Sequence, residues 1–141
     1  MLAARDRPDL VSSLILLAPA PDFTRDVYEA FSESQKNDLL IDGAVKIPND
    51  YSDEPYIFTR ALIEDGERHC LLTKDIDIEV PVSIIQGMED KDVPWDKAIL
   101  ITERLRTEDV SLHLLKSAGH SLSGEAELSL LKNVLEQHLG G

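Results

Sequence analysis

The sequence predicts an α/β fold built on a mostly parallel sheet, and three observations carry that prediction. Three continuous apolar runs, 11–18, 82–86 and 111–115, have the length and the Val, Ile and Leu content of strands buried on both faces. Apolar residues at helical spacing stand between and after the last two runs, the alternation of a doubly wound sheet. The segment from about Pro21 to Val80 breaks this rhythm and exceeds an ordinary crossover, so it reads as an insertion.

The elements follow in order. Met1-Leu2-Ala3-Ala4-Arg5 reads as the last turn of a helix, with no cap ahead of it. Arg7-Pro8-Asp9 turns the chain into the first strand, which Pro8 and Pro19 bracket. The insertion reads as two helices, 27–40 and 55–72, with Gly43, Pro48 and Asn49 in the connection. Ser52-Asp53 are its capping candidates and Pro55 suits a first helical turn. A cap or lid over the strand ends is the expected role. Val82-Ser83-Ile84-Ile85-Gln86 is the second strand, and Ala98, Ile101 and Leu105 mark a helix laid on the sheet. Ser111-Leu112-His113-Leu114-Leu115 is the third. Leu128, Leu131 and Leu135 mark the last helix, with Ser123 as N-cap and Glu125 and Glu127 near its positive end. Leu139-Gly140-Gly141 stops it. Residues 1–20 thus hold the end of a helix and the first strand, 21–80 a helical lid, and 81–141 a core with helices on both sheet faces.

Composition bounds the function. A chain of 141 residues is about one domain, and 43% hydrophobic with 29% charged residues is globular rather than disordered. The net charge of −13, from 27 acidic against 14 basic residues, disfavours nucleic acid and anionic membranes as partners. The single cysteine, Cys70, forms no internal disulfide, and no Cys/His group has zinc spacing. A reducing, cytoplasmic setting is expected. No apolar run reaches bilayer length and no signal peptide is visible.

Two loops carry the chemistry. Gln86-Gly87-Met88-Glu89-Asp90-Lys91-Asp92-Val93-Pro94 follows the second strand, and Ser117-Ala118-Gly119-His120-Ser121 follows the third. In G-x-x-D-x-x-V-P the glycine ends the strand and the Asp stands at the carboxyl edge of the sheet, where open α/β sheets bind ligands. A carboxylate there can hold a histidine tautomer and stabilise the imidazolium. For an isolated Asp a turn or cap role is the ordinary one; the Gly119-His120 pair downstream, in acid-then-histidine order, favours the catalytic reading. Asp92, the rival acid, is expected to support the turn or the next helix.

His120 is the candidate general base, in a loop of small residues that lets it reach the acid. His113 lies within a strand, His138 is expected to be exposed near the C-terminus, and His69 and Cys70 are adjacent helix residues that point apart. Ser12, Ser13, Ser117, Ser121 and Ser123 lack the glycines of a nucleophile elbow, and no G-x-S-x-G occurs in the sequence. Asp75-Ile76-Asp77-Ile78-Glu79 lacks EF-hand spacing. No metal and no cofactor is expected. Trp95 is expected to pack under the loop.

With these residues in view, the chain resembles an α/β-hydrolase subfamily. The resemblance rests on Tyr51-Ser52-Asp53, Arg68-His69-Cys70-Leu71-Leu72, Gln86-Gly87-Met88-Glu89-Asp90, Asp92-Val93-Pro94-Trp95 and Gly119-His120. That subfamily holds the mitochondrial acyl-glucuronide esterase, also described as a palmitoyl-protein thioesterase, and bacterial relatives. The resemblance implies the C-terminal part of the fold, Asp90 as triad acid, His120 as triad base, and a serine just upstream of Met1. It implies hydrolysis of an acyl ester or thioester, and a chain inactive alone because it lacks the elbow. The lid's apolar Val27, Phe31, Phe58 and Leu62 suggest a medium-sized acyl group. Two other readings stand beside it. One is a short, non-catalytic binding or assembly module that self-associates, or pairs with an N-terminal half, through an open sheet edge. The other keeps the ancestry with an aspartate as nucleophile.

Overall fold

A computed structural model describes residues 1–49 and 52–140. Tyr51 of the resemblance and the terminal Gly141 lie outside the described residues. The first half holds α1 (Leu2–Asp6), β1 (Leu14–Leu17), α2 (Phe23–Ala30), α3 (Glu33–Ile41), β2 (Ala44–Ile47) and β3 (Tyr56–Thr59). The second holds α4 (Arg60–Arg68), β4 (Val82–Gly87), α5 (Asp96–Arg104), β5 (Val110–Leu115) and α6 (Glu125–Leu139). The chain divides into two compact units, one of Met1–Pro21 with Leu71–Gly141, the other of Asp22–Cys70.

The first unit is the expected parallel sheet, in the order β1-β4-β5. Leu14 pairs with Val82 and Val82 with Val110, so the three strands start in step. β4 is buried along its whole length, which explains its unbroken apolar run. Its side chains alternate between two cores. Val82 and Ile84 pack with Ala4 of α1, Ala98 and Ile101 of α5, and Ile76 and Ile78. Ile85 packs on the other face with Ala118, Leu122 and Val134 of α6. Helices therefore cover both faces.

α6 turns a different stripe inward from the one its leucines suggest. Leu128 and Leu135 are 53% and 42% exposed, whereas Val134 is buried and Leu130 and Leu131 pack beside it. Residues 130, 131, 134 and 138 share one helical face, and 128 and 135 lie on the flank of that face. Gly124, not Ser123, holds the N-cap position, without a side-chain cap; the Ser123 hydroxyl bonds that of Ser121 instead. Glu125 and Glu127 do fall in the first turn.

The second unit departs further from expectation. The helix read over 27–40 is two helices broken at Phe31-Ser32. Ser32 caps α3 in a capping box: its hydroxyl accepts from Gln35 N–H at 3.2 Å and its own N–H donates to the Gln35 side chain at 2.8 Å. The helix read over 55–72 starts only at Arg60, where Thr59 accepts from Leu62 N–H, and ends at Arg68. Tyr56-Ile57-Phe58-Thr59 is instead a strand, paired antiparallel with Ala44–Ile47. The β-rich character of those four residues outweighs the helix-start signal of Pro55. Phe31, Leu39 and Val45 are the unit's buried core, with Val27 and Phe58 packed on it. Three of the four residues read as acyl contacts thus serve this core, and Leu62 is 39% exposed.

Candidate active site

The site is built where β4 and β5 end. Gly87 closes β4, and a Cβ there would stand 2.2 Å from the Ala118 carbonyl oxygen and 2.7 Å from that of Gly119. Only glycine lets the two loops meet so closely. They are then stitched by backbone: Met88 N–H donates to Leu115 O at 2.9 Å and Glu89 N–H to Ala118 O at 3.0 Å.

This brings Asp90 and His120, 30 residues apart in sequence, into a 3.0 Å contact between Asp90 Oδ2 and His120 Nδ1. An ionised carboxylate only accepts, so Nδ1 carries the proton and Nε2 is left as the acceptor. That is the tautomer a general base needs. The Asp90 side chain is fully buried and that of His120 is 49% exposed. The base therefore has solvent or substrate access while its orienting acid has none.

Four donors satisfy the buried carboxylate. Asp90 Oδ1 accepts from the N–H of Asp92 and of Val93, each at 2.9 Å. Oδ2 accepts from the Gln86 side-chain amide at 3.1 Å as well as from His120. Burial pushes the Asp90 pKa up, but the bonds from Val93, His120, Asp92 and Gln86 outweigh it and hold the carboxyl below its ordinary range. The loop N–H groups give Asp90 a turn role as well, so the two readings of this residue coexist. The His120 loop ends in Leu122, whose φ of +46° is unusual for a leucine; burial of its side chain beside Ile85 holds it there.

Gln86 was not singled out by its sequence pattern. Its amide nitrogen also faces the carbonyls of Gly87 and Val93, at 3.1 and 3.2 Å. Three acceptors around one nitrogen fix the amide orientation, leaving Oε1 without a partner among the described residues. A glutamine closing an otherwise apolar buried strand was the available signal.

The other candidates separate from this pair. Ser121 bonds Ser123. Cys70 Sγ faces the Gly66 carbonyl and Glu67, and burial, with Asp22 next, pushes its thiol pKa up, away from a reactive thiolate. His69 faces Asp65 at 3.8 Å rather than Cys70. Trp95 is 38% exposed rather than packed away. His138 is half-buried, its Nε2 2.8 Å from the Ser83 hydroxyl, which corrects the expectation of an exposed residue. Asp90, Asp92 and His120 offer donor atoms within 4.8 Å of one another, and the Asp90 Oδ2–His120 Nδ1 bond engages two of these groups with each other.

No family model matches the chain. The mitochondrial palmitoyl-protein thioesterase ABHD10 of Mus musculus is 32% identical over 130 residues, covering 92% of this chain and 44% of that protein. A solved putative hydrolase from Agrobacterium vitis S4 is 39% identical and superimposes with a TM-score of 0.86 over 91% of this chain. The solved mouse α/β hydrolase domain-containing protein 10 is 28% identical with a TM-score of 0.88 over 99%. The chain is related to the α/β-hydrolases and shares their fold. It covers 49% and 56% of those two solved chains, so it spans about half the length of the relatives it matches. Among the described residues, no helix is long and apolar enough to cross a membrane.

Proposed function

We propose that this chain supplies the acid and the general base of a serine hydrolase acting on acyl esters or thioesters. The observation that carries the proposal is the 3.0 Å bond from His120 Nδ1–H to the buried Asp90 carboxylate at the carboxyl edge of a parallel sheet. In the reaction, His120 Nε2 takes the proton of a serine hydroxyl as that oxygen attacks the acyl carbonyl, then returns it to the leaving alcohol or thiol. Water repeats the cycle to free the acid. Asp90 holds the imidazole and stabilises its charged form. The nucleophile belongs to an elbow that the 141-residue sequence does not contain. A lid role and a cytoplasmic setting stay within the proposal, the lid narrowed from 21–80 to 22–70 because Leu71, Ile76 and Ile78 pack in the sheet core.

The 141-residue chain is expected to show no burst of p-nitrophenol from p-nitrophenyl butyrate. A longer product, read in frame from codons upstream of Met1 and containing G-x-S-x-G, is expected to turn the ester over. A stoichiometric acyl-enzyme on the 141-residue chain overturns the assignment of the nucleophile to an elbow outside it.

A second reading, assembly through the sheet, has its own support. Among the described residues nothing pairs with the outer edge of β1, Leu17 is 45% exposed, and Leu2, Ile15 and Leu71 line an apolar hollow beside it. Such an edge templates another strand. Size-exclusion chromatography of the isolated chain is expected to show self-association on that reading, and a clean monomer counts against it.

A further inference from the structure

β4 holds two polar side chains in an otherwise apolar buried run, Ser83 at 5% exposure and Gln86 at 0%. Strands covered on both faces are ordinarily apolar throughout, and a buried hydroxyl needs a partner to be tolerated. Gln86 is explained by Asp90. Ser83 is not, because it is the second residue of β4, at the opposite edge of the sheet, roughly 13 Å of strand away from Gly87.

Ser83 is built into a relay. Its Oγ lies 2.8 Å from the Oγ of Ser111, its register partner on β5, and 2.8 Å from His138 Nε2 near the end of α6. These three residues line a half-open cavity of about 550 Å³, together with Ser12, Ser13 and Asp109. We propose that this cavity is a second binding site, for a small hydroxylated amine of the amino-alcohol or amino-sugar class. The proposal is independent of the reading of Asp90 and His120.

Size, hydrogen bonding and charge each narrow the ligand. The volume lies in the ordinary range of small-molecule sites. Hydroxyls both donate and accept, so a wall of serines matches the hydroxyls of a polyol rather than an apolar acyl chain. Ser83 spends its bonds on Ser111 and His138, while Ser111 is exposed and ends the relay at the cavity. Among the described lining residues Asp109 is the sole carboxylate, and neither Lys nor Arg is present. In a chain of net charge −13 that lining repels phosphorylated or carboxylated ligands and attracts an ammonium group.

Nuclear magnetic resonance titration of the 141-residue chain with glucosamine, glucose and glucose 6-phosphate tests this. Glucosamine is expected to saturate, with the shifts concentrated at Ser83, Ser111 and His138. Glucose is expected to bind about fivefold more weakly, the scale of one partly exposed ion pair, and the phosphate ester not at all. Asp109→Asn should equalise glucosamine and glucose, Ser111→Ala should weaken both, and His120→Gln should change neither. Asp109 and Ser111 are exposed, so both variants are expected to fold. The site is overturned if no sugar saturates, if the shifts lie elsewhere, if glucose 6-phosphate binds as well as glucosamine, or if Asp109→Asn keeps the preference for the amine.

Discussion

His120→Gln, in a form of the protein that carries a serine elbow, is expected to lower acyl-ester turnover by about 10⁶-fold while leaving stability almost unchanged. The two halves of this result come from the same geometry. Glutamine cannot take the serine proton in the transition state, so the loss falls on kcat rather than on KM. The His120 side chain is 49% exposed and its bond is to Asp90 alone among the described residues. Removing it leaves the carboxylate still accepting from Gln86, Asp92 and Val93, so no buried charge is stranded. The unfolding free energy should move by less than about 1 kcal/mol, as for a surface substitution. Steady-state kinetics with p-nitrophenyl butyrate and urea denaturation check the two halves. Turnover within tenfold of the parent would assign the base to another residue.

That separation between an exposed base and a buried acid was only partly legible in the sequence. Gly87 and Gly119 flag the loops, and the order of Asp90 and His120 gives their pairing, because strand exits on a parallel sheet share one edge. The three strands were legible for a similar reason: full burial of β4 forces an apolar run that no exposed segment would need. Gln86 and Ser83 were hidden because a polar residue in an apolar run looks like noise until its partners are known. The α6 stripe is legible at Leu131, but Leu128 and Leu135 lie on its flank and Val134 within it, because burial follows helix face rather than residue type. In the insertion, Pro55 suggested a helix start, but the strand Tyr56–Thr59 is set by pairing with Ala44–Ile47, a contact that local propensity does not record. Ser32 and Gln35 carried a readable capping box that would have broken the first helix correctly.

Asp90→Ala should have the larger effect on folding, about 3–5 kcal/mol at neutral pH, the usual cost of breaking a buried charged network. The carboxylate is fully buried and receives four donors, two from backbone N–H groups of its own loop. Alanine leaves the Gln86 amide and the Asp92 and Val93 N–H groups without this acceptor, in a loop packed against Gly87 and Ala118. Asp90→Asn isolates the catalytic part. Its amide oxygen can still accept from Asp92 and Val93, but its NH₂ then faces the Gln86 amide and His120 Nδ1–H, donor against donor. His120 escapes by changing tautomer, which removes the acceptor at Nε2, so Asn should retain most of the stability and lose about 10⁴ in turnover. The pH dependence follows from the lowered Asp90 pKa. The stabilisation is fully present above the unfolded carboxylate value of about 3.9 and is lost as pH falls through the still lower folded value. Urea denaturation of the parent and of Asp90→Ala should therefore give a constant gap from pH 7 to 5 that narrows below pH 4. A gap that persists unchanged far below pH 4 would mean that Asp90 stabilises the loop through packing rather than through its charge.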